Sequence, residues 1–403
     1  MTTTAATTRT SSRTTNLVLA TWTFAITFWA WNIIGPLGTR YAEDLDLSST
    51  QKSLLVAIPV LVGALGRIPV GALTDRYGGR LMLGVLSLAS IVPVLLVAYA
   101  GNQGSYELLL VFGFVLGIAG TTFAAGVPFV NAWFEPSRRG FATGVFGAGM
   151  GGTALSSFFT PRFVEKWGYT TAHVIVAVAL AVTGIVVLVV MRDAPAWKRS
   201  TQSVLPKLAA ALKLPVTWQM SFLYAVTFGG FVAFSTYLPT YLKDVYGFDL
   251  AGAGTRTAGF AIAAVVARPI GGTLSDRLHP KPIVLVSLGA VAALALVIAT
   301  QPQPEVPAGA VFVAMAFFLG LGTGGVFAWV ALRTPAERVG SVSGIVGAAG
   351  GLGGFFPPLV MGATYDEVDH TYTVGLVLLS ATALVAFLYV LLRLRKEAPA
   401  RTS

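Results

Sequence analysis

Two arginines are the residues of this sequence best placed to do chemistry. The stretch GRIPVGALTDRYGGR, residues 66–80, closes an apolar run and sets Arg67 eight residues before the pair Asp75–Arg76. The stretch ARPIGGTLSDRLHPK, residues 267–281, sets Arg268 eight residues before Asp276–Arg277. Eight helical residues span roughly 12 Å, so both charges lie well inside apolar segments. A charge at that depth costs at least ~2.5–3.5 kcal/mol on insertion scales and marks a functional site by default. A guanidinium is planar, permanently charged and forked, which suits a flat oxyanion held by two hydrogen bonds. One alternative is a structural arginine paired with a buried acid. Another is snorkelling of the side chain to the interface, which would serve one arginine but accounts less well for a symmetric pair.

The elements that must position them follow from composition. The chain has 403 residues, 55% hydrophobic and only 11% charged, with a mean hydropathy of +0.75. Soluble domains carry about a quarter charged residues, so this chain is expected in a lipid bilayer. Twelve apolar segments reach the ~20 residues that a bilayer span needs: 16–39, 53–73, 80–100, 106–132, 140–161, 170–191, 216–242, 252–274, 282–300, 308–332, 339–363 and 371–393. Helix is the state that satisfies every backbone group internally, and no alternating barrel pattern appears. The expected fold class is therefore all-α, a polytopic membrane protein. Residues 1–15 read as a polar tail ahead of an uncleaved first span. Residues 192–215 form the longest polar connection and separate spans 16–191 from spans 216–393, with a short tail at 394–403.

An internal repeat supports two six-helix halves. Arg67 matches Arg268 and Asp75–Arg76 matches Asp276–Arg277 at an offset of 201, while Gly140, Gly144, Gly147 and Gly151 match Gly340, Gly344, Gly347 and Gly351 at 200. Two pseudo-symmetric halves with a site between them near mid-membrane is a transporter architecture. With both termini cytoplasmic, the cytoplasmic segments hold 19 Lys/Arg and 6 Asp/Glu against 6 and 11 outside. That bias fits the positive-inside rule. It also leaves Arg67 and Arg268 as the charges inside the spans, with no carboxylate there to neutralise them.

The remaining candidates are arranged around the arginines. Glycine every three or four residues in GFATGVFGAGMGGTALSSFF (140–159) and GSVSGIVGAAGGLGGFFPP (340–358) makes a smooth helical stripe. Such a stripe serves close helix packing, and it also lets a small solute reach backbone or lets helices slide. The loops LTDRYGGR and LSDRLHPK, with Asp75, Arg76, Arg80, Asp276 and Arg277, read either as ordinary positive-inside turns or as a conformational latch. Tyr224 and Phe228 share a helix face at i, i+4 and could wall one site together. Phe28 and Phe123 are aromatic residues that serve packing as readily as binding. Net charge of +10 is absorbed by basic loops, without the basic–aromatic interleaving of a nucleic-acid binder. No cysteine is present and the three histidines lack ligand spacing, so neither metal nor cofactor is expected. No nucleotide-binding or hydrolytic motif occurs, and no enzyme activity is expected.

Two six-span halves joined to GALTDRYGGR resemble the major facilitator superfamily over the whole chain. Arginines in spans 2 and 8, together with RRGFATGVFGAGMGGTALSSFFTPRF and SGIVGAAGGLGGFFPPLVMGATYD, resemble its nitrate/nitrite porter family. The resemblance implies that Arg67 and Arg268 clamp the anion. It implies that Gly144, Gly147, Gly151, Gly344, Gly347 and Gly351 line its path, and that Tyr224, Phe228, Phe123 and Phe28 wall the site. Some family members have an asparagine that bonds the anion where this chain has Met150. The implied activity is nitrate/nitrite exchange across the inner (plasma) membrane by a chain working as a monomer. Proton-coupled nitrate symport and exchange of small carboxylates such as formate or oxalate stay open, as does a non-transporting anion receptor.

Overall fold

The computed structural model describes residues 3–135, 138–195, 197, 199, 204–334 and 338–394. Most of the expected tail 394–403, the first two residues of the expected tail 1–15 and part of the 192–215 connection lie outside them. The spanning helices are α1 Thr3–Trp31, α2 Ser49–Tyr77, α3 Gly79–Gln103 and α4 Tyr106–Trp133. A continuous apolar stretch, Phe141–Val190, follows. The second half has α7 Pro215–Tyr246, α8 Leu250–Leu278, α9 Pro280–Ala299, α10 Val306–Arg333, α11 Val339–Ala363 and α12 Thr373–Arg393.

The stretch Phe141–Val190 is 50 residues long, more than twice what a ~30 Å hydrocarbon core accommodates. Its helix is broken at Gly168, with φ 79° and ψ 172°. Gly78, between α2 and α3, and His279, between α8 and α9, share that backbone region. Gly168 therefore separates two crossings, α5 (139–167) and α6 (169–190), giving twelve among the described residues. Residues 162–167, which fall between the expected spans 140–161 and 170–191, continue the helix to Trp167, and Arg162 lies back along it, donating to the Phe158 carbonyl at 2.5 Å. Other ends extend past the expected boundaries. Ser48 and Gln51 form a reciprocal cap ahead of α2, Asp249 caps α8, and left-handed Gly104 and Gly247 stop α3 and α7, as expected of such caps. A short helix, Val204–Leu212, lies within the connection between the halves.

Apolar residues face outward as well as inward. Val174, Val178, Val182, Ile185 and Val189 form an exposed stripe along α6, with the three-to-four-residue spacing of one helix face. Inside, polar side chains join helices. Trp29 donates to Thr160 at 2.9 Å and Ser156 to the Asn32 carbonyl at 2.9 Å, tying α1 to α5. Ser287 and Ser380 join α9 to α10 and α12. Across the halves the extensive pairs are α2 with α11 and α5 with α8. These pairs carry the arginines and the glycine stripes. Helix geometry loosens in the first half at the level of the arginines: α2 is interrupted at Gly66, α4 tightens to 3-10 over Gly117–Thr121, and α5 over Ala148–Gly151.

Gly168 has open space where a Cβ would sit, so a substitution there tests backbone geometry alone. Gly168→Ala should destabilise the protein by about 1–3 kcal/mol, the cost of a strained backbone region. A lower midpoint of heat denaturation in detergent checks this; an unchanged midpoint contradicts the assigned turn.

Candidate functional site

Both arginines are buried, Arg67 at 2% and Arg268 at 5% exposure, and each reaches into the opposite half. Arg67, on α2, donates from Nη1 to the Gly347 carbonyl of α11 at 2.5 Å. Arg268, on α8, places Nη1 3.3 Å from the Met150 sulfur of α5. Gly147 and Gly347 occupy the same place in the repeat, and both touch the site. A Cβ on Gly147 would lie 3.3 Å from Arg268 Nε, and one on Gly351 would lie 3.6 Å from Arg67 Nη1 and press on Ala64. The glycines allow the guanidiniums to lie against helix backbone.

The two charges share one aromatic box. The Arg67 guanidinium carbon is 5.2 Å from the Phe123 ring centre and 5.6 Å from that of Phe228. The Arg268 carbon is 5.8, 5.9 and 5.8 Å from Phe123, Phe228 and Phe327. Tyr224 stacks on Phe228 at 4.9 Å and 4°, and its hydroxyl accepts from Arg268 Nη2 at 3.4 Å. Contacts of this kind are worth about 0.5–2 kcal/mol each, and they offset part of the cost of burying charge. They leave hydrogen-bonding capacity unused: Arg67 Nε and Nη2 are buried without a partner. The four ion pairs between described residues engage neither arginine. The site thus offers two positive charges and free donors in an apolar, aromatic setting, which fits a small flat anion.

The expected site residues are largely brought together. Tyr224, Phe228, Phe123, Met150, Gly147, Gly347 and Gly351 all lie at the arginines. Gly151 faces Val265 at 3.8 Å, while Gly144 and Gly344 face open space. Phe28 lies one ring layer away, against Phe24 and Trp31 at 4.3 and 4.7 Å. Phe327 was not singled out by sequence, although GTTFA (120–124) and GGVFA (324–328) repeat around Phe123 and Phe327. Phe327 packs edge-on against Tyr224 at 4.7 Å. Gly350 was also passed over. It backs the Tyr224–Phe228 stack so closely that a Cβ would overlap Tyr224.

The halves meet unevenly along the membrane normal. The end that holds the start of α1 and the end of α12 is the terminal face, and the other is the far face. At the arginines the glycine stripes touch the facing half, but one turn toward the terminal face Gly144 and Gly344 touch nothing. At the far face two ion pairs cross between halves, Lys52–Asp244 and Lys243–Glu43. The site is closed on the far side and parted toward the terminal side. The acid–base loops lie at the parted end. Arg80 donates to the Leu188 carbonyl from Nε at 3.1 Å and from its backbone N–H to Asp193 at 3.0 Å, both within its own half. No ion pair between described residues engages Asp75, Arg76, Asp276 or Arg277.

The family model of the Major Facilitator Superfamily matches residues 20–358 and again 254–403. The chain belongs to the Major Facilitator Superfamily. Within the superfamily it falls in the nitrate/nitrite porter family. It is 64% identical over 381 residues to the probable nitrate/nitrite transporter NarK2 of Mycobacterium tuberculosis, covering 94% of this chain and 96% of that one. It is 34% identical over 365 residues to the nitrite extrusion protein of Bacillus subtilis, covering 90% of each. It is 33% identical to the probable nitrate/nitrite antiporter NarK1 of Thermus thermophilus, covering 85% and 83%. These relatives are transporters, not enzymes. The superfamily fold is seen again in a bacterial homolog of the human lysosomal transporter Spinster (TM-score 0.70, 19% identity, 94% and 96% coverage). It also appears in the human organic anion transporter MFSD10 (TM-score 0.72, 14% identity, 94% and 99% coverage).

The tight seat of Tyr224 on Gly350 gives a direct check. Gly350→Ala should displace the stacked rings at about 1–3 kcal/mol, the usual overpacking cost, and slow transport about tenfold or more. Gly309→Ala, facing open space on α10, should leave transport at the wild-type level. Equal rates for the two variants would contradict the ring geometry.

Proposed function

We propose that this chain is a nitrate/nitrite transporter of a cell membrane, and that it works as an exchanger with one anion held between Arg67 and Arg268. The observation that carries the reading is the pair of buried guanidiniums over shared rings, with two donors of Arg67 unpartnered. The nitrate and nitrite names of the relatives support the choice of substrate. The excess of lysine and arginine at the terminal face supports a cytoplasmic position for both termini. On that orientation the structure is inward-facing, and the loops of Asp75, Arg76, Asp276 and Arg277 are an inner latch in its open state.

Charge supplies the coupling. Two like charges ~8 Å apart repel by about 2 kcal/mol at an effective dielectric near 20. Closing the cavity around them removes water and raises that cost. A monovalent anion between them turns one repulsion into two attractions. The bound anion therefore stabilises the occluded state more than the open ones, which is what a ligand must do to drive a conformational change. An empty carrier interconverts slowly and a loaded one quickly, so outward movement of one anion is tied to inward movement of another.

Proteoliposomes loaded with nitrite should take up labelled nitrate about tenfold faster or more than empty ones, given the barrier estimated above. Equal uptake by empty vesicles would overturn exchange, and uptake driven into empty vesicles by an acid outside would establish proton symport instead. In the same vesicles, formate and oxalate should drive less counterflow than nitrite; equal counterflow would assign the site to small carboxylates.

Arg67→Lys and Arg268→Lys keep the charge and lose the fork. Each should retain membrane insertion and lose transport about tenfold or more, as bidentate sites do on this exchange. Near-normal nitrate uptake by either variant would rule out the clamp.

A further inference from the structure

The far face carries a buried polar cluster that the anion site does not use. Lys52, at the start of α2, meets Asp244, near the end of α7, with Nζ and Oδ2 2.7 Å apart and side chains only 9% and 14% exposed. The same Oδ2 accepts from the Tyr372 hydroxyl at 2.5 Å. The Tyr372 and Tyr237 hydroxyls are 3.2 Å apart. Ser53, beside Lys52, donates to Tyr237 at 2.9 Å. Gly362 of α11 leaves the space that Ser53 fills. The cluster therefore joins the first half, through Lys52 and Ser53, to three parts of the second.

The repeat shows what is special here. Asp44 and Asp244 are 200 residues apart, and Tyr169 and Tyr372 are 203 apart. Tyr169 donates to Asp44 Oδ2 at 2.8 Å, so each half has an Asp–Tyr clasp between its first and last helical segments. In the first half the other partner of Asp44 is local: Arg40, 3.1 Å away, with the two side chains 50% and 38% exposed. In the second half that place is taken by Lys52, from the opposite half, and the pair is buried. The position 201 residues beyond Lys52 is Ala253. A clasp internal to one half has been turned, in the other, into a bond between halves.

We propose that Lys52 and Asp244, buttressed by Tyr372 and the Tyr237–Ser53 bond, form a lock that holds the far face shut and sets the resting state of the carrier. The lock must break whenever the arginines are exposed to the far side. A buried pair parted without a substitute leaves two uncompensated charges, so water must enter the cluster as it opens. The second cross-half pair, Lys243–Glu43, is more exposed and contributes less.

The chain has no cysteine, so a single reporter can be introduced cleanly. Thr240 is fully buried on α7, next to Gly38 of the first half. Thr240→Cys should react slowly with a membrane-impermeant thiol reagent applied from the far side. Adding Lys52→Met or Asp244→Asn should raise the rate about tenfold or more, and exchanging the two charges in one variant should bring it back to within about threefold of the reporter alone. Tyr372→Phe, which keeps the ring and the ion pair, should raise the rate by a smaller factor, and it remains informative where a charge variant fails to accumulate in membranes. An unchanged rate in Lys52→Met, in Asp244→Asn or in Tyr372→Phe would overturn the lock. So would a charge-exchanged variant as fast as the single ones. The labelling needs no substrate, so its failure leaves the anion reading untouched.

Discussion

Two positive charges confined in one aromatic box, with no ion pair to an acid among the described residues, are the constraint on which the rest of the structure depends. Each guanidinium lies over Phe123 and Phe228, and each makes a contact in the opposite half, Arg67 with the Gly347 carbonyl and Arg268 with the Met150 sulfur; Arg268 also meets Phe327 and the Tyr224 hydroxyl of its own half. Ring faces and one backbone carbonyl moderate the charges without neutralising them. Neutral partners of this kind leave the positive charge in place, where a buried carboxylate would have cancelled it.

The surrounding elements follow from that constraint. Glycines 147, 347 and 351 bring helix backbone to within reach of long, stiff arginine ends. The same stripes lose contact one turn toward the terminal face, at Gly144 and Gly344. The arginines thus sit where the halves begin to part. On the proposed reading, an anion bound there would act on both halves at once, against the far-face ion pairs. The crossed contacts couple α2 to α11 and α5 to α8, the pairs that carry the arginines and the glycine stripes.

Much of this was legible in the sequence because burial of charge and a repeat are long-range statements written in single residues. Arg67 and Arg268 stand out against apolar runs, and an offset of 200–201 links them to the glycine stripes. The placement of the carboxylates in the sequence, outside the apolar runs, is legible in the same way. Tyr224 and Phe228 were legible as a pair from i, i+4 spacing. Other features were not. Phe327 is one phenylalanine among 25, and its role depends on which way α10 is rotated about its axis. Gly168 falls between two expected spans without standing out, because a one-residue reversal has no signal beyond glycine itself. The far-face cluster joins Lys52 to Asp244 and Tyr372 across most of the chain. Each of the three reads as an ordinary interfacial residue until the halves are docked. Phe28 lay on the expected wall and packs one layer behind it, a distinction that side-chain direction makes and spacing does not.

The central claim is that an anion, by neutralising the arginine pair, draws the halves together at the terminal face. Spin labels at Leu81→Cys and Leu278→Cys, on exposed positions of the two halves near that face, report it directly through their distance distribution. Addition of nitrate should shift the distribution to shorter distances, and the shift should vanish in Arg67→Lys. A distribution that nitrate leaves unchanged in the wild-type background, while nitrate binding is measured in the same sample, would contradict the account.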